Sequence, residues 1–261
     1  MENKIEKFTV NGYEATVIIP SEPNGEWLWK TEFFYAFDKA ENALCEKGFL
    51  RAYYGISDKY GSLEAVKLMY GFYLEMMKRY PFLSEKCGII GFSRGGLYAF
   101  NYTLAHPETV KKAYFDAPVL DLRTWPRKGD KYGENGLYEQ VLKEYGFKSE
   151  EEYLNYGGYP VENFDKYFSL NLPTLLIAGD SDSVVAFKKN SLKMIEYCKK
   201  NGVPLTYYVK VGVDHHPHSL GNDKDTVKEL AVYSSEIAGT AENHTAVLRN
   251  DEKYVADFFI G

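Results

Sequence analysis

Cysteine is scarce in this chain: three residues in 261, Cys45, Cys87 and Cys198. They are far apart, odd in number and without CxxC spacing, so neither a disulfide framework nor a zinc-thiolate site is indicated, and reduced, mostly buried thiols are expected. No apolar run is long enough to span a bilayer. The N-terminal MENKIEKFTV passes at once into polar and apolar alternation, without the apolar core of a signal peptide, so the expectation is a cytoplasmic protein with no membrane partner. Basic blocks are missing too. A formal net charge of -6 argues against a nucleic-acid or anionic-membrane partner held by electrostatics. There is no internal repeat and no low-complexity segment. Apolar residues at 45% and charged residues at 26% are ordinary globular usage.

Residues 7–20 hold two β-branched runs joined by Asn11-Gly12, the dipeptide that favours a tight hairpin. Residues 27–29 read as a short buried strand, 32–47 as a helix stopped by Gly48, and 49–54 as the next strand. A long helix over 63–79 carries apolar residues at Val66, Met69, Tyr70, Tyr73 and Met76 and is closed by Pro81. Strand 87–92, helix 97–104 and strand 113–120 follow. Residues 121–171 hold charges, glycines and many of the 23 tyrosines but no strand, and read as a helical insertion. Strand 174–178, helix 191–200, strand 205–211 and a final helix over 252–260 complete the chain, with a polar stretch at 221–250 that has no evident function. The expectation is a single α/β domain over 1–261, with a mainly parallel sheet, an N-terminal antiparallel hairpin and helices on both faces. In such sheets ligands bind beyond the carboxyl ends of the strands.

Three loops at that edge carry chemistry. Gly91-Phe92-Ser93-Arg94-Gly95 matches G-x-S-x-G between a strand and a helix, the setting that lifts a serine hydroxyl clear of a sheet. A serine is a poor nucleophile at neutral pH and needs a histidine base, which needs a carboxylate to hold its tautomer. Asp180 and Asp182, after strand 174–178, are candidates for that carboxylate, and Asp116 lies on the same edge. The third loop, residues 211–220, holds His215, His216 and His218. Its competing reading is a metal site, since histidine-rich tracts bind zinc, but Pro217 breaks helical spacing and no HExxH or cysteine partner accompanies it. His215 and His216 are adjacent, so on an extended segment only one of them can face Ser93.

The order Ser, Asp, His is that of α/β-hydrolases. GFSRGGLYAFNY, FDAPVLDLRTWP, LLIAGDSDSVV and VGVDHHPHSL together resemble that superfamily, and more closely bacterial members of its esterase and prolyl-oligopeptidase branches. The resemblance covers roughly residues 15–221 and implies the α/β-hydrolase fold, with 121–171 as a lid. Spacing from Gly179 and Gly212 to the family patterns implies Asp182 as acid and His215 as base, with Ser93 as nucleophile. The oxyanion hole is expected from the amide of Arg94 and one at Lys30, where Trp29-Lys30-Thr31 replaces the His-Gly pair of many relatives. Trp125 and Tyr159 are the lid residues expected to meet substrate, although packing of the lid onto the body is the blander explanation of both. No cofactor and no metal are implied. The expected activity is hydrolysis of a small-molecule acyl substrate, a carboxylic ester first, with a peptidase, a thioesterase or a non-catalytic binding protein as alternatives.

Overall fold

Alternating strands and helices build one twisted sheet in the computed structural model, which describes residues 3–220, 232–234, 242–244 and 251–261. β1 (Lys4–Val10) and β2 (Tyr13–Ile19) form the antiparallel hairpin. Asn11 and Gly12 both adopt positive φ, 48° and 86°, which is the backbone a two-residue turn of this kind requires. β3 (Trp27–Lys30), β4 (Leu50–Tyr54), β5 (Cys87–Phe92), β6 (Val110–Asp116), β7 (Thr174–Gly179) and β8 (Thr206–Lys210) run parallel. β9 (Val232–Ser234) and β10 (Glu242–His244) add an antiparallel edge, giving the order β1-β2-β4-β3-β5-β6-β7-β8-β9-β10. The rest of 221–250 lies outside the described residues.

Every residue of β5 and β7 is buried, as strands covered on both faces must be. On one face, α2 (Leu63–Arg79), α3 (Gly95–Ala105) and α8 (Ser191–Asn201) bring Phe72, Met76, Leu97, Phe100 and Met194 into the larger core. On the other, α1 (Lys39–Glu46) and α9 (Asp251–Ile260) close over Ile90, Phe92 and Ile177 with Leu44, Val255 and Phe259. α2 starts where Ser62 Oγ accepts the Ala65 amide and stops at Tyr80, before Pro81. Among the described residues no helix is long and apolar enough to cross a membrane.

Two elements differ from expectation. The helix expected over 32–47 begins only at Lys39, because Phe33 and Phe37 take left-handed φ of 56° and 50°. The carbonyls a helix would have used are held by buried cations: Lys30 Nζ donates to Ala36 O at 2.7 Å and Arg51 Nη2 to Phe34 O at 3.1 Å. β6 ends at Asp116 instead of 120, since Ala117 turns to φ 41° and Pro118 has no amide for the ladder.

The insertion between β6 and β7 is helical: α4 (Lys131–Glu134), α5 (Leu137–Tyr145), α6 (Glu150–Leu154) and α7 (Phe164–Phe168). Its tyrosines tie it down by donating to backbone carbonyls, Tyr159 to Tyr153 O at 2.7 Å and Tyr145 to Tyr60 O at 2.8 Å.

Candidate active site

The strand-to-helix turn after β5 holds Ser93 at φ 50°, a left-handed conformation that costs a serine energy and turns its side chain away from the sheet. Only glycine fits around it. A Cβ on Gly91 would lie 2.8 Å from Gly95 O, one on Gly95 2.9 Å from Thr31 Oγ1, and one on Gly96 2.5 Å from the Pro118 Cβ. Val119 N donates to Ser93 O at 2.8 Å and Ser93 N to Asp116 O at 2.9 Å, so the turn is locked to the loop after β6.

The loops after β7 and β8 are pressed together. Any Cβ on Gly179 would strike the carbonyl of Val213. Asp180 Oδ1 accepts the Gly212 amide at 2.7 Å and Asp214 Oδ1 accepts the Ser183 amide at 2.7 Å, so Asp180 serves loop structure. Asp182 is aimed by the amides of Val184 and Val185, which donate to its Oδ1 at 2.9 and 2.7 Å. Its other oxygen receives His215 Nδ1–H at 2.7 Å, and His215 Nε2 lies 3.0 Å from Ser93 Oγ. Ser93, His215 and Asp182 are thus brought together, all buried.

Asp116 partners a different histidine. Its Oδ1 accepts His218 Nδ1–H at 2.8 Å, and its Oδ2 accepts the Ser219 amide and the Tyr114 hydroxyl, both at 2.6 Å. Complete burial pushes this carboxyl up, but the His218 hydrogen bond and the charge of Lys210 more than offset it and hold it at about 2. Lys210 Nζ also donates to Pro217 O and to Ser219 O, which fixes the loop's return. His216 is exposed and stacks on Phe37, ring centres 5.5 Å apart; burial of part of its ring and the neighbouring imidazoles lower its pKa. Residues 211–220 form turns and bends instead of an extended segment, so all three histidines reach one cavity, and His215 is the one that hydrogen-bonds Ser93.

That cavity has a volume of about 210 Å³ and is walled by Phe33, Ala36, Phe37, Trp125, Tyr132 and Val184 around Ser93. Trp125 is one of the lining residues. Tyr159 does not line the cavity: it is 1% exposed, its hydroxyl spent on Tyr153 O. Lys30 closes β3 with its side chain turned inward, Nζ 2.6 Å from Glu41 Oε1 and 4.0 Å from the Phe92 ring centre. Arg94 pairs with Glu32 Oε2 at 3.2 Å, and burial raises the Glu32 pKa despite that partner. The Arg94 amide has no acceptor among the described residues, and neither has that of Phe33. The roles of Phe33 and Phe37 were invisible in the sequence, where their spacing reads as helix. The His218 pairing had one signal, an aspartate and a histidine at the same sheet edge.

Comparison with known proteins agrees with this architecture. No curated protein matches the chain. A puromycin-hydrolyzing peptidase of Mycobacterium tuberculosis superposes with a TM-score of 0.64 at 14% identity, covering 82% of this chain and 36% of that one. Dipeptidyl peptidase 4 of Porphyromonas gingivalis gives 0.60 at 15% identity, with 82% and 32% covered. The chain therefore spans about a third of the length of these structures, and at such identity the likeness is one of fold. Residues 66–239, from within α2 to beyond the histidine loop, match the prolyl oligopeptidase family, and the chain belongs to that family of α/β-hydrolase-fold hydrolases.

Proposed function

We propose that the protein is a serine hydrolase that cleaves an acyl bond through an acyl-enzyme, with a peptide-type amide as the first substrate class. The observation that carries the reading is the continuous relay from Ser93 Oγ to His215 Nε2 at 3.0 Å and from His215 Nδ1 to Asp182 at 2.7 Å. Ser93 Oγ attacks the carbonyl while His215 Nε2 takes its proton, and Asp182 stabilises the imidazolium and holds the tautomer. The oxyanion is received by the Arg94 amide at the start of α3, where helix amides favour negative charge. Its second donor comes from the turn after β3, with the amide of Phe33 better placed than that of Lys30, which lies within the paired strand. His215 then returns the proton to the leaving group, and water releases the acyl chain by the same steps in reverse.

The amide is put ahead of the ester expected from sequence because the family is one of peptidases and the two related structures are of peptidases. The apolar walls fit the acyl side of either substrate. A fluorophosphonate probe should label Ser93 in the wild type and nothing in Ser93→Ala; label on another residue overturns the nucleophile. Turnover of peptidyl nitroanilides and of short nitrophenyl esters, compared as kcat/KM, decides between leaving groups. Ester-only turnover would return the reading to an esterase.

A further inference from the structure

Three imidazoles meet at this site, and the proposed hydrolysis uses one. The ring centres of His215, His216 and His218 form an equilateral triangle, 4.9 Å on each side, with interplanar angles of 66°, 77° and 89°. Three histidines sharing one tetrahedral zinc, with Zn–N of roughly 2.0–2.1 Å, have ring centres about 5 Å apart. One nitrogen atom from each of the three rings lies within 4.8 Å of the others.

The surroundings of the rings are those of metal ligands. His215 and His218 each give their Nδ1–H to a buried carboxylate, Asp182 and Asp116, which leaves both Nε2 atoms as lone-pair donors. Carboxylate backing of this kind fixes the tautomer and raises the basicity of a ligating imidazole. The stacking of Phe37 against His216 sets the plane of the third. An all-imidazole donor set selects zinc and its neighbours over magnesium or calcium.

We propose that His215, His216 and His218 bind one Zn²⁺ ion, and that its binding switches the hydrolase off. The inference rests on the triad reading. Zinc takes the Nε2 lone pair of His215 that otherwise accepts the Ser93 proton, so metal and general base exclude each other at one atom. Ser93 Oγ, 3.0 Å from that nitrogen, or a water molecule completes the tetrahedron.

The test titrates zinc into the chelator-stripped full chain against a chromophoric competitor, for the wild type, Ser93→Ala, His216→Ala and His216→Gln. Cobalt substitution reads the geometry. One saturable site is expected in the wild type and in Ser93→Ala, with the intense visible bands of four-coordinate cobalt. Turnover should fall at least about 10-fold at saturating zinc and return with EDTA, and both His216 variants should weaken zinc binding by about 100-fold or more, since they remove a ligand and not merely an outer partner. Unchanged affinity in both variants, a six-coordinate cobalt spectrum or the absence of a saturable site would overturn the proposal while leaving the triad intact. Zinc that restores turnover to a chelated, inactive enzyme would instead overturn the triad reading itself.

Discussion

The two sides of the cavity are made by different means. On the sheet side, loops at the strand ends place charged groups by short hydrogen bonds, with Asp182 and Asp116 each facing one histidine at 2.7 and 2.8 Å. On the side of the insertion, aromatic rings pack edge to face, as in the run Tyr138, Tyr153 and Tyr159, and the hydroxyls of Tyr153 and Tyr159 donate to backbone carbonyls. The first arrangement sets proton positions, and the second sets shape. Even within the sheet side the two His–Asp pairs diverge, because only His215 has a hydroxyl at Nε2. A carboxylate behind a histidine therefore does not by itself mark the base.

The sharpest way to break that comparison is to change both aspartates alike. Asp182→Asn should lower kcat on the order of 10⁴-fold by presenting the wrong tautomer to Ser93. A larger loss of turnover from Asp116→Asn, measured side by side, would reverse the assignment.

Asp116→Asn should act mainly on stability. Its fully buried carboxylate accepts from His218, Ser219 and Tyr114, and replacing one oxygen by an amide nitrogen sets donor against donor, at a cost of about 2–4 kcal/mol. The pH dependence follows from its carboxyl being held at about 2 in the fold, below its ordinary 3.8. A depressed folded pKa gives stability that is fully present above the unfolded value and fades as pH falls toward the folded one. Denaturant melts between pH 5 and about 2 should thus show a steeper acid decline for the wild type than for the variant.

How much of this was legible depended on how local the cause was. The hairpin at Asn11-Gly12, the elbow around Ser93 and the Gly179-to-Asp182 spacing are decided by backbone needs within a few residues, and short motifs carry them. The loop at 31–38 was not legible because Lys30 and Arg51, buried cations from neighbouring strands, capture its carbonyls and override a helical pattern. His218 and Asp116 are 102 residues apart, and no spacing rule connects them. Tyr159 was expected at the substrate because tyrosines crowd the insertion, but a tyrosine that can give its hydroxyl to a carbonyl is as well suited to the interior.

On the insertion side, Trp125 should govern selectivity. It lines the cavity, and Trp125→Ala enlarges that cavity without touching the relay. The expected result is a shift of about 10-fold or more in kcat/KM between small and bulky acyl groups, in favour of the bulky, at unchanged Ser93 labelling. Equal loss across all acyl groups would mean that the tryptophan only supports the insertion.

Tyr159→Phe is the smallest expected effect and the one that best separates shape from chemistry. The ring is 1% exposed, wedged against Tyr153 and Tyr156 with centres 6.1 and 5.0 Å away, and the substitution keeps all of that packing. What it removes is one hydrogen bond, from the hydroxyl to Tyr153 O at 2.7 Å, and it leaves that carbonyl without this donor in a dry setting. The loss should be about 1 kcal/mol in denaturant unfolding, with acyl preference unchanged because the ring has no face on the cavity. Tyr159→Ala, which empties the wedge, should cost about 3–5 kcal/mol. If Tyr159→Phe altered the ratio of rates between acyl groups while leaving unfolding untouched, the hydroxyl would have to reach substrate, and the insertion would be supplying chemistry as well as shape.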